Sequence, residues 1–135
     1  MTEKTFAATV DNIPAVTAFV DALLEREECA LRAQMQIDVA IDEIFGNIAQ
    51  YAYAPGQGEA TVRFRMDPDT RVACLTFVDR GVPYDPLAKA DPDVSLSAEE
   101  RTLGGLGIFL VKKTMDDMRY ERVDGENRLS LYKKI

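Results

Sequence analysis

Apolar positions along this chain recur with two different periods, and the switches between them mark out the elements. Residues 4–10 make a short strand-like run containing Phe6 and Val10, after which Asp11 and Asn12 offer an N-cap ahead of Pro14. Over 15–27, Val16, Phe19, Val20, Leu23 and Leu24 recur at three and four, which predicts a helix with one buried stripe. A second helix is predicted over 31–53, where Ile37, Ile41, Ile44 and Ile48 form a narrow seam ending at Ala54-Pro55-Gly56-Gln57-Gly58. Residues 59–66 and 71–78 read as two strands of a hairpin closed by Asp67-Pro68-Asp69-Thr70, a turn in which proline presets the backbone.

Residues 79–102 are rich in turn formers and poor in periodicity, and read as a long loop with one helical turn at 97–101. Loops of this length in compact domains often act as lids. A third helix over 108–118 would place Ile108, Val111, Met115 and Met118 on one face. Strands at 119–123 and 128–135 would then close around Asp124-Gly125. The order strand, two helices, two strands, glycine loop, helix, two strands predicts an α+β fold. It is a two-layer α/β sandwich: a mostly antiparallel mixed sheet with helices on one face, in a single domain spanning 1–135.

Composition narrows the chemistry. With 135 residues, 47% hydrophobic and 29% charged, the chain can bury one core without disulfides or a structural metal. Its net charge of −7 repels a nucleic-acid backbone. The same charge means that an anionic ligand needs local help from a cation and oriented backbone N–H groups. Cys29 and Cys74 have no paired spacing and read as half-buried structural thiols in a reducing compartment. Neither a leader pattern nor a membrane-length apolar run is visible, so a cytoplasmic location with no membrane contact is expected. The absence of histidine removes histidine triads, histidine zinc sites and phosphohistidine chemistry within the chain.

Three segments carry candidate chemistry. Glu43 and Asn47 lie four apart on the second helix, about 40° apart around its axis, and flank the isoleucine seam. A carboxylate beside a carboxamide could activate a nucleophile while the amide oxygen holds a hard cation, although such a pair also suits a solvated face. The strand through Val78 delivers Asp79 at its carboxyl end, where an acid can accept a hydrogen bond from a base amino group, or merely cap a turn; Gly81 permits close approach. Gly104-Gly105-Leu106-Gly107 precedes an apolar helix, so its N–H groups form a candidate phosphate cradle. Neither a Walker A ending nor a dinucleotide fingerprint is present.

Taken in order, these segments resemble the Bergerat-type ATP-binding fold of gyrase and the histidine kinases. Glu43-Ile44-Phe45-Gly46-Asn47 matches the N-box, Asp79-Arg80-Gly81 the first glycine box and Gly105-Leu106-Gly107 the second. AIDEIFGNIAQYAY, DRGVPYDP and GGLGIFLVKKTMDDMRY are most similar to the bacterial anti-sigma-factor serine kinases, over about 36–135. The resemblance implies ATP and Mg²⁺ as cofactors. It makes Asn47 the metal ligand, Asp79 the adenine-amino acceptor and Glu43 the general base. Gly81, Gly104, Gly105, Leu106 and Gly107 would shape the base and phosphate pockets, and 85–103 would be the ATP lid. It further implies a sigma factor and an anti-anti-sigma (STAS-type) protein as partners, and a homodimer built on the first helix or its neighbouring strand. The family commonly has histidine four residues after the N-box asparagine; Tyr51 stands there, expected at the pocket floor. A nucleotide-dependent binding module without phosphotransfer is the alternative.

Overall fold

The computed structural model describes residues 1–88 and 106–135, without the side chain of Leu106. Strand β1 (Thr2–Ala7) leads through a 3-10 turn (Val10–Asn12) into helix α1 (Ile13–Arg26), followed by helix α2 (Leu31–Asn47). A π turn (Ile48–Ala52) extends α2 toward strands β2 (Glu59–Asp67) and β3 (Val72–Asp79). Helix α3 (Leu106–Thr114) and strands β4 (Asp117–Val123) and β5 (Glu126–Lys134) complete the chain. The strands form one sheet in the order β1-β2-β3-β5-β4. Every ladder between them is antiparallel.

Period-two alternation divides the sheet into two unlike faces. Ala60, Val62 and Phe64 of β2, Leu75 and Phe77 of β3, and Leu129 and Leu131 of β5 enter one core with the helices. Val16, Val20 and Leu24 of α1 and Ile37, Ile41 and Ile44 of α2 meet them there. Burying each of the larger side chains stabilises by about 1.5–3 kcal/mol. Phe6 of β1 joins the two longer helices, edge-on to Phe19 at 6.0 Å and to Phe45 at 6.3 Å. The opposite face is polar: Thr5 and Thr61 hydroxyls meet at 2.8 Å, Thr76 and Ser130 at 2.7 Å, and Arg63 pairs with Glu3 at 3.0 Å. The helices therefore sit on one side, as an α+β two-layer fold requires.

Several boundaries differ from the sequence expectation. β1 ends at Ala7, and 10–12 turn instead of extending. Asn12 makes no side-chain cap on α1, because its Nδ2 donates to the Ala7 carbonyl at 2.8 Å. α2 gives way to the π turn at Ile48, short of the predicted end at 53. α3 stops at Thr114, whose hydroxyl turns back to the Leu110 and Val111 carbonyls, each at 3.2 Å. The next residues are captured by β5: the Asp116 N–H donates to the Tyr132 carbonyl at 2.9 Å. Met118 and Tyr120 reach the core from a strand, because their spacing of two fits the ladder better than the spacing of three that suggested a longer helix. The helical turn expected at 97–101 lies outside the described residues.

Candidate functional site

A cavity of about 350 Å³ opens between α2 with its π turn, the end of β3 and α3. Ile44 and Ile48 contribute the end of the isoleucine seam as its apolar wall, and Phe77, Ile108 and Leu129 close it from the sheet and α3. A few polar side chains, Asn47, Asp79 and Asn127 among them, interrupt this apolar lining, in the pattern of small-molecule sites.

Asp79, the last residue of β3, is 6% exposed and lies on the core side of the sheet by alternation from Phe77. Its Oδ1 accepts the Gly81 N–H at 2.9 Å, as an aspartate at a turn commonly does. It also accepts Asn127 Nδ2 at 2.9 Å from the paired position on β5. Asn127 is equally buried, and its Nδ2 also donates to the Val82 carbonyl at 2.8 Å. Its Oδ1 accepts the Tyr120 hydroxyl at 2.5 Å and the Tyr84 N–H at 3.3 Å. One carboxamide thus ties the Asp79 carboxylate, the following loop and β4 together. Among the described residues no hydrogen bond engages Asp79 Oδ2, and Asp79 lines the cavity.

The loop after Asp79 is docked onto the end of α2. Val82 N–H donates to the Ala52 carbonyl at 2.9 Å, and a Cβ on Gly81 would overlap that same carbonyl, so only glycine allows the approach. The Arg122 guanidinium donates to the Gly81 carbonyl at 2.8 Å. Tyr53 adds a second tie: its hydroxyl donates to the Glu59 carbonyl at 2.5 Å and accepts the Arg80 N–H at 2.7 Å. Burial pushes the Tyr53 phenol up, and the Arg80 N–H partly opposes this. Gly81 therefore supports Asp79 from behind and does not itself line the cavity.

Asn47 lines the cavity, and its Nδ2 faces Glu43 Oε1 at 3.5 Å. Glu43 is beside Asn47, and its carboxyl lies against Gly107 in the first turn of α3. Tyr84 stands at the mouth near Glu43, and its phenol is pushed up by burial, then by the charges of Glu43 and Asp85 and by Tyr51. Tyr51 lines the mouth with 65% of its surface exposed; the expected place at the floor is corrected. Tyr51 belongs to the π turn, which follows the last residue of α2.

Asn47 and Asp79 thus line one cavity, with Gly81 behind Asp79, and Glu43 links Asn47 to Gly107. Gly104 and Gly105 lie outside the described residues, as do 89–103 of the expected lid. Leu106 opens α3. Sequence reasoning missed Asn127, Tyr120, Tyr84 and Tyr53. Asn127 had a signal, the inward alternation Asn127, Leu129, Leu131, hidden by starting the last strand at 128. The tyrosines are recognisable only once the turns they join are known.

The model of the histidine kinase-like ATPase domain matches residues 6–133. The chain is 31% identical over 126 residues to the serine/threonine-protein kinase BtrW of Bordetella bronchiseptica, covering 89% of this chain and 87% of that protein. It is 33% identical over 91 residues to the serine-protein kinase RsbW of Bacillus cereus. That match covers 64% of this chain and 56% of RsbW. Matched by this domain along nearly its whole length, the chain belongs to the histidine kinase-like ATPase family.

Proposed function

We propose that this chain is an ATP-dependent protein serine kinase of the anti-sigma regulatory type. The observation that carries the reading is the meeting of Asp79 and Asn47 in a single cavity, with Glu43 beside Asn47 and Asp79 anchored by two N–H donors. Adenine enters the apolar end, where Asp79 Oδ2 accepts its exocyclic N–H. The phosphates extend toward Asn47 and the start of α3, whose helix N-terminus favours negative charge.

Mg²⁺ fits the donor set. The Asn47 amide nitrogen turns to Glu43, which leaves its carbonyl oxygen for a hard cation. Among the described residues no cluster of three acids, thiols or imidazoles could chelate an ion, so phosphate oxygens and water would supply the remaining ligands. Bound there, the ion would neutralise charge on the phosphates. Glu43 takes the proton of a serine hydroxyl on the protein substrate. The serine oxygen then forms a bond to the γ-phosphorus as the bond to the bridging oxygen breaks, releasing ADP and leaving phosphoserine. The phosphorylated partner is an anti-anti-sigma (STAS-type) protein, and the sequestered partner is a sigma factor. The names of BtrW and RsbW support the kinase reading, and the partners rest on family likeness.

Incubation with γ-labelled ATP and a serine-bearing STAS partner tests the proposal. Label should appear on the partner, and Glu43→Ala should reduce it on the order of 100-fold or more while ATP still binds. Nucleotide binding with no transfer by the unaltered chain would replace the kinase with a nucleotide-dependent binding module. That second reading is favoured by Tyr51, exposed where the family commonly has histidine.

A further inference from the structure

Glycines in this fold are obstructed by different things. A Cβ on Gly46 would meet nothing closer than the Ile13 side chain at 3.8 Å, and one on Gly125 nothing within 4 Å. On Gly81 it would strike backbone, and on Gly58 the Tyr53 ring at 2.5 Å. On Gly107 it would overlap Cδ and both oxygens of the Glu43 carboxyl. The acid of α2 therefore lies against the bare backbone of the first turn of α3. Its contact with Asn47, at 3.5 Å, is at the outer limit of a hydrogen bond and too weak to fix the carboxyl by itself. The start of α3 is the positive end of a helix dipole, where a carboxylate is stabilised.

We infer that Gly107 is a positioning residue for the proton-accepting step: its missing side chain creates the seat that holds the Glu43 carboxylate against α3. The inference rests on the reading of Glu43 as general base. It gives Gly107 a duty distinct from contact with phosphate. The obstructing atoms are the free end of a flexible side chain, so alanine at 107 is accommodated when Glu43 swings to another rotamer, with α3 intact. Alanine is also the better helix former.

The test compares Gly107→Ala, Glu43→Asp and the double variant in steady-state phosphorylation of a STAS-type protein, with ATP affinity measured by calorimetry. Gly107→Ala should lower kcat roughly tenfold to a hundredfold, within the span of general-base contributions, with a clearly smaller change in the ATP dissociation constant. Aspartate is shorter by one methylene and clears the new methyl, so in the Glu43→Asp background the alanine should have little further effect. Equal losses in both backgrounds, or an ATP affinity that falls in step with kcat, would overturn the inference. A second readout needs no turnover: the ¹³C carboxyl resonance of Glu43 should move in Gly107→Ala, and an unmoved resonance counts against the seat. If the unaltered chain transfers no phosphate, the kinase reading fails, while the carboxyl resonance still decides the placement.

Discussion

Asp79 is buried and Asp38 half-buried, and the fold treats the two acids in opposite ways. Asp79 sits where a strand opens into a loop, and Oδ1 receives the free N–H of Gly81 and the carboxamide of Asn127. Asp38 lies in the middle of α2 and faces Asp21 of α1. The Oδ1 atoms of both are buried with no N–H or O–H donor. Backbone donors in mid-helix are already spent on the helix, so two facing carboxyls can satisfy each other only by holding a proton between them. The Asp38 carboxyl is accordingly pushed up to about 7, first by burial and then by the hydrogen bond and charge of Asp21. Cys29 nearby is pushed up by its own burial; Arg71 opposes this, and both aspartates reinforce it. A strand end supplies donors to an acid, and a helix pair supplies only another acid.

The sharpest way to break this contrast is to remove the well-served acid. Asp79→Ala should weaken ATP binding on the order of 100-fold, about 3 kcal/mol, through loss of the adenine acceptor and the network behind it. Unchanged affinity in calorimetry would dissociate Asp79 from the ligand. Asn127→Ala withdraws one donor from Asp79 and leaves the Val82 carbonyl and Tyr120 hydroxyl without their partner. A stability loss of about 2 kcal/mol is expected in urea titration, since buried polar groups left unpaired are expensive.

The smallest expected effect belongs to the helix pair, and there the sign reverses. The folded state keeps a proton at Asp38 up to about pH 7, whereas the unfolded chain, with an ordinary value of 3.8, has already released it. Stability contributed by this group is therefore full below about pH 4 and lost as pH rises through 7. Asp38→Asn has no proton to lose. With water reaching the pair and trimming the full linkage, the variant should be more stable than the parent by about 1–2 kcal/mol at pH 8. The advantage should vanish toward pH 4, and equal differences at both pH values would show that no proton is shared.

What was legible in the sequence follows the same division between local and distant causes. The isoleucine seam, the Asp67-to-Thr70 hairpin and the antiparallel order were readable because each rests on neighbours in the chain. So were Glu43, Asn47 and Asp79 as candidates, although what joins them was hidden. Asn127 meets Asp79 only because β5 pairs with β3 in one register, and no local pattern announces that register. Met115 and Met118 suggested a longer third helix because a spacing of three suits a helix. The Asp116 contacts with β5, including the Lys134 N–H to its carboxylate at 2.5 Å, draw the chain into a strand instead. Asp21 and Asp38 meet only through the packing of α1 against α2, which no local pattern announces.

The π turn at Ile48–Ala52 has a geometric consequence for the whole molecule. A regular α-helix advances about 100° per residue, whereas a π turn packs more residues into each revolution. Tyr53 emerges from it on the bearing that lets one hydroxyl join Glu59 and Arg80. The distance from Asn47 to Tyr53 is therefore quantised: one residue more or fewer would swing the phenol out of reach and uncouple the two segments that bracket the cavity.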